Sequence, residues 1–86
     1  MNLSDKVIWI TGASSGIGKA LALELSKYKA KLILSSRNKK ALEEVKNECF
    51  FKENVKIIPL DLENHENLFD KAKEGISSFG RVDVLV

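Results

Sequence analysis

The sequence predicts an α/β fold: a doubly wound parallel sheet with helices on both faces and strands ordered 3-2-1-4. Three observations predict it. Short apolar runs alternate with segments of helical periodicity throughout the 86 residues, and such alternation produces parallel pairing with right-handed crossovers. A glycine-rich turn, Thr11-Gly-Ala-Ser-Ser-Gly-Ile-Gly18, joins the first apolar run to the first helical segment. The only proline, Pro59, falls in the third run. Proline cannot donate to a ladder and so belongs on an edge, which is where the order 3-2-1-4 puts the third strand.

In chain order, residues 6–11 form the first strand. Its unbroken Val7-Ile8-Trp9-Ile10 suits a central position buried on both faces, with Trp9 as core filling. A helix covers about 16–28, and Lys31-Leu-Ile-Leu-Ser35 form the second strand. The next helix, 39–49, places Ala41, Leu42, Val45 and Cys49 on one face, and residues 55–60 form the third strand. In the last helix, 65–79, Leu68, Phe69, Ala72, Ile76 and Phe79 recur at helical spacing. Asn64 is its expected N-cap, Glu66 suits its first turn and Gly80 supplies the stop. Residues 82–86 begin a fourth strand. No repeat or linker divides residues 1–86, which form one unit.

A composition of 44% hydrophobic and 30% charged residues is ordinary for such a fold. The net charge of +2 is small and dispersed, which argues against nucleic acid or membrane as partners. Lys27-Tyr-Lys-Ala-Lys31 reads as a solvated turn. A single cysteine, Cys49, excludes an intrachain disulfide and reads as a buried structural thiol. With no targeting segment in view, the expected location is the cytoplasm.

Gly12, Gly16 and Gly18 lie at G-x-x-x-G-x-G spacing between a buried strand and a helix. There a tight turn leaves the strand, backbone N–H groups approach a ligand closely, and the helix packs near the sheet. This arrangement binds the pyrophosphate of a dinucleotide at the helix N-terminus; the alternative is a plain turn with incidental glycines. A phosphate-binding loop of nucleotide hydrolases is rejected, because Ala13 and Ala20 stand where it needs glycine and a hydroxyl residue.

Ser36 and Arg37 follow the second strand, where the adenosine ribose should lie. A hydroxyl and a guanidinium, with no carboxylate at the strand end, suit a 2′-phosphate, so NADP is expected over NAD. Arg37 also reads as a surface arginine at the sheet edge. Asp61 and Leu62 reach the same rim, where they can meet adenine, although Asp61 equally suits a turn before the helix. His65 has no cluster of ligands around it and reads as an exposed first-turn residue.

These segments, with Phe79-Gly-Arg-Val-Asp-Val-Leu-Val86, resemble the short-chain dehydrogenase/reductase family of NAD(P)-dependent oxidoreductases over the whole chain. The resemblance implies the N-terminal half of a Rossmann-type domain. It implies backbone contacts to pyrophosphate around Ile17 and ribose contacts from Ser14. It also puts Ser15, Ser36 and Arg37 around the 2′-phosphate and Asp61 and Leu62 at adenine.

Two departures stand out. The family usually has glycine where Lys29 ends the first helix. Its later Asn-Asn-Ala-Gly stretch, catalytic serine and Tyr-x-x-x-Lys pair are not among these residues. Tyr28 is the only tyrosine, and Leu32 stands where its lysine partner would be. The expectation is an NADP-binding segment of an enzyme moving hydride between NADP(H) and a carbonyl or alcohol, inactive as these residues alone. Ending within an apolar strand, it reads as a truncation that self-associates through that strand. The alternative is a non-catalytic dinucleotide-binding or partner-dependent interaction module.

Overall fold

The computed structural model describes residues 3–86, apart from the side chains of Asp5 and His65. The expectation that His65 is exposed therefore lies outside the described residues. The strands are β1 (Val7–Thr11), β2 (Lys31–Ser35), β3 (Val55–Ile57) and β4 (Val84–Leu85), and the helices are α1 (Gly16–Ser26), α2 (Lys39–Glu48) and α3 (Leu68–Phe79). The strands are parallel in the order β3-β2-β1-β4, as the sequence predicts. β1 and β2 pair along their full length, from Val7 opposite Lys31 to Thr11 opposite Ser35.

Successive side chains on a strand point to opposite faces, so the same two strands feed two cores. On one face Ile8, Ile10, Leu32 and Leu34 meet Ala22 of α1 with Leu42 and Val45 of α2. Cys49 joins this core, where burial pushes its thiol pKa up, as suits an inert structural cysteine. On the other face Val7, Trp9, Ile33 and Ile58 gather, with Leu60, Phe79 and Val82 against them. The Trp9 indole N–H donates to Ser35 Oγ at 2.8 Å, so neither polar atom is buried unpaired.

α3 meets the sheet through Gly75, where an added Cβ would overlap the Trp9 ring. This rotates the helix away from the orientation that apolar spacing predicts. Phe69 and Ile76 are 70% and 52% exposed. Counting apolar positions misses a glycine that serves as the contact residue.

Helix ends also differ from expectation. His65–Asn67 form a 3₁₀ turn and Asn67, not Asn64, precedes α3. At Asn64 the chain is still turning, its N–H bonded to the Asp61 carbonyl at 3.0 Å. Gly80 ends α3 in the left-handed conformation, as expected.

As a regular strand β3 is shorter than expected, but its pairing continues. Ile58 and Leu60 donate to the carbonyls of Leu34 and Ser36 at 2.9 and 2.8 Å. Pro59 lies between these donors, so the N–H it lacks would face the open edge. β4 extends likewise, with Val86 donating to the Trp9 carbonyl at 2.8 Å and accepting from the Thr11 N–H at 2.9 Å. Before it, Asp83 Oδ2 accepts from the Val7 N–H at 2.8 Å and from Arg81 Nε at 3.0 Å. These bonds hold its carboxyl pKa below the ordinary value. Among the described residues no helix is long and apolar enough to cross a membrane.

α1 ends at Ser26, two residues before the expected limit, and Lys29 then takes φ +63°. Lysine thus adopts the left-handed conformation that glycine usually supplies at a helix end. Its carbonyl accepts from Asn54 Nδ2 at 3.2 Å, and its ammonium lies 5.3 Å from the Phe51 ring centre. Lys29→Gly and Lys29→Val both remove the Phe51 contact, so their difference isolates the backbone. Valine at positive φ should cost roughly 1–2 kcal/mol more than glycine. The two variants are expected to melt at least about 4 °C apart, with valine lower, in thermal unfolding followed by circular dichroism.

Candidate dinucleotide site

β1 delivers the chain to the glycine turn at the carboxyl end of the sheet. Gly12 and Gly16 have φ +62° and +58°, with open space where a Cβ would stand. Their glycines are required by conformation, and the openness lets a ligand approach the backbone. Gly18 is different: a Cβ there would overlap the Gly12 carbonyl, so α1 leaves the turn in direct contact with it. Buried Ala13 ties the loop to β2 through its N–H on the Ser35 carbonyl at 3.0 Å.

The first turn of α1 is open to an anion. Ser15 is its N-cap in an extended conformation, but the serine side chain makes no capping bond, and no acidic residue occupies the first turn. Lys19 donates back to the Ser15 carbonyl at 3.2 Å, closing the helix. The preceding donors, on Gly16, Ile17 and Gly18, lie before the first intrahelical bond and face outward with the positive end of the helix dipole. Ile17 is 88% exposed beside them. Ser14 is partly buried in the loop.

A cleft of about 210 Å³ lies beside this turn, lined by Thr11, Gly12, Ser35, Ser36, Arg37, Leu60 and Leu62. Four of the expected site residues meet there: Gly12, Ser36, Arg37 and Leu62. Ser14, Ser15, Gly16, Ile17 and Gly18 are not in its lining and belong to the loop and helix start next to it. Asp61 lines a neighbouring hollow of about 270 Å³, which Arg37 also borders.

The polar groups differ in what they have free. Arg37 is exposed and makes no ion pair with the described residues. The Ser36 hydroxyl accepts from the Asn38 N–H at 3.2 Å, so it helps shape the entry to α2. Asp61 Oδ1 accepts from the Glu63 N–H at 2.9 Å, so Asp61 makes the turn that its sequence context allows. Its other oxygen remains available to an amine. Among the described residues no group of carboxylates, histidines or cysteines could hold a metal ion.

Thr11, Ser35 and Leu60 also line the cleft, and the sequence reading did not single them out. Thr11 and Ser35 had a signal, because both end strands on the same rim. Leu60 carried the same signal, as the last residue of the segment 55–60 expected to form the third strand.

A parallel 3-2-1-4 sheet with a glycine turn leading from its first strand into a helix is the N-terminal half of a Rossmann-type fold. Residues 6–86 match the short chain dehydrogenase family, and the chain belongs to it. It is 43% identical to dehydrogenase/reductase SDR family member 7 of Mus musculus over 89 aligned positions, covering 98% of this chain and 26% of the mouse protein. A short chain dehydrogenase from Bacillus anthracis superposes with a TM-score of 0.87 at 33% identity, over 96% of this chain and 35% of that one. The 3-ketoacyl-(acyl-carrier-protein) reductase of Brucella melitensis, complexed with NADH, matches with TM-score 0.85 and 31% identity over 96% and 33% of the two chains. A metagenomic short-chain oxidoreductase in complex with NADP matches with TM-score 0.85 and 30% identity over 99% and 39%. The chain therefore spans about a quarter of the curated relative and 33% to 39% of these structures.

The contrast between glycines gives a test. Gly18→Ala forces α1 off the turn and should cost roughly 1–3 kcal/mol by overpacking. Gly12→Ala meets no atom and bears only the left-handed penalty, roughly 1–2 kcal/mol. Urea unfolding is expected to show both losses, while hydrogen exchange of the first α1 turn should rise more in Gly18→Ala.

Proposed function

We propose that this chain supplies the adenosine and pyrophosphate half of an NADP(H) site in a short-chain oxidoreductase. The parent enzyme would move hydride between NADP(H) and a carbonyl or alcohol substrate. The observation that carries this reading is the cleft beside the glycine turn, with Arg37 on its rim and serines, not a carboxylate, at the end of β2.

The donor set fits such a ligand. The α1 N-terminus and the glycine loop suit the pyrophosphate, which needs N–H donors and close backbone approach. Ser14 would meet the ribose; Ser15, Ser36 and Arg37 would surround a 2′-phosphate; Asp61 and Leu62 would meet adenine. When bound, the dinucleotide supplies the hydride carrier. This chain's residues bind and orient its adenosine end. They do not include the family's Tyr-x-x-x-Lys proton-donating pair, so the 86 residues by themselves are expected to show no turnover.

Relatives complexed with NADH and with NADP both match, so family membership leaves the preference open and Arg37 carries it here. A charge-assisted pair with a phosphate is worth about 1.5–3 kcal/mol, roughly ten- to a hundredfold in affinity. Calorimetric titration is expected to show NADPH bound that much more tightly than NADH, with Arg37→Ala removing most of the difference. Equal affinities, indifferent to Arg37→Ala, would overturn the cofactor assignment.

A second reading, association between copies of this chain, is favoured by the outer edge of the sheet. Leu85 is 68% exposed on β4, with Val84 and Val86 exposed beside it. Unpaired apolar strand edges recruit further strands. Sedimentation velocity is expected to show larger species as concentration rises through the micromolar range, and a Leu85→Lys variant should remain monomeric. A monomer at every concentration would rule this association out.

A further inference from the structure

Lys71 is a charged group near the cleft that the reading above leaves unused. It lies one turn into α3 and borders two hollows, the one shared with Arg37 and Asp61 and an apolar one beside Trp9. Arg37 borders both the first of these and the dinucleotide cleft. Two cations from different elements therefore flank one hollow of about 270 Å³. The single carboxylate among its lining residues, Asp61, already accepts a backbone N–H through Oδ1. Asn64 and Asn67 add neutral amides that can donate.

Lys71 is held only lightly elsewhere. Its ammonium lies 3.6 Å from Glu74 Oε2, with both side chains partly exposed. Solvent screens such a pair, and a four-carbon stem lets the ammonium swing toward a stronger partner. A hollow bordered by two cations, continuous with a nucleotide cleft through Arg37, favours an anionic substituent on the nucleotide.

We propose that Lys71 is a second cation for a phosphate monoester on the adenosine ribose, acting across the hollow from Arg37, and so helps determine specificity for the phosphorylated dinucleotide. This rests on the dinucleotide reading but makes a separate claim. Arg37 belongs to the strand-end position where such an arginine is expected. Lys71 comes from a helix whose rotation onto Trp9 through Gly75 brings it to the hollow.

The test is calorimetric titration of the chain with NADPH and NADH, comparing wild type, Arg37→Ala, Lys71→Gln, Lys71→Arg and Glu74→Gln. Lys71→Gln is expected to weaken NADPH about tenfold and NADH less than twofold, as loss of one charge-assisted contact implies. Lys71→Arg should keep the preference, and Glu74→Gln, which releases the ammonium, should tighten NADPH alone. A purely structural role would move both nucleotides together. If Arg37→Ala abolishes the preference while Lys71→Gln and Glu74→Gln leave it unchanged, the Lys71 proposal is overturned and the dinucleotide reading stands. If wild type binds both nucleotides equally, the Lys71 proposal and the NADP assignment are overturned while the dinucleotide site stands; if it binds neither, the dinucleotide reading falls as well.

Discussion

The contact between Gly18 and the Gly12 carbonyl is the constraint on which the rest of this structure depends. It brings α1 out of the turn with no room for a Cβ between helix and loop. Held there, α1 lays Ala22 into the core over β1 and β2 and presents its first-turn N–H groups at the carboxyl end of the sheet. A helix held further off would bring its positive end less close to the rim where Ser36, Arg37 and Leu62 line the cleft. One steric fact thus ties the packing of one face to the electrostatics of the rim.

The opposite face is organised by the same device with different chemistry. Gly75 gives α3 a notch for the Trp9 ring, and the indole is anchored by its hydrogen bond to Ser35. Ser35 belongs to β2 and also lines the cleft beside the glycine turn, so the second core and the candidate site share a residue. Close helix approach recurs on both faces of β1, and in each case a glycine admits it. This explains how so short a chain buries Val7, Ile8, Trp9 and Ile10 in succession.

Elements governed by local pattern are legible in the sequence. β2 falls where its Lys-Leu-Ile-Leu-Ser run predicts, and the position of Pro59 correctly identified the edge strand. The conformation of the glycine turn is legible because positive φ at Gly12 and Gly16 and close approach at Gly18 each demand glycine. What escaped was set by partners distant in sequence. The rotation of α3 depends on which residue admits Trp9, the start of α3 on the Asp61 turn, and the left-handed Lys29 on Asn54 and Phe51. For the site, residues on the glycine loop and strand ends could be named from spacing. Lys71 could not, because no pattern in its own helix points to the hollow it borders.

Trp9 is the only tryptophan, and its position makes it an optical reporter. Its ring borders the apolar hollow together with Thr11, Leu60 and Leu62, three residues that also line the cleft beside the glycine turn. Indole emission follows the polarity around the ring and the state of its N–H bond. A nucleotide that displaced water from Leu60 and Leu62, or drew on the Ser35 hydroxyl, would change both without touching the indole. The protein therefore carries an intrinsic chromophore at the junction of core and cleft, and the occupancy proposed for that cleft is open to an optical test on the unmodified chain.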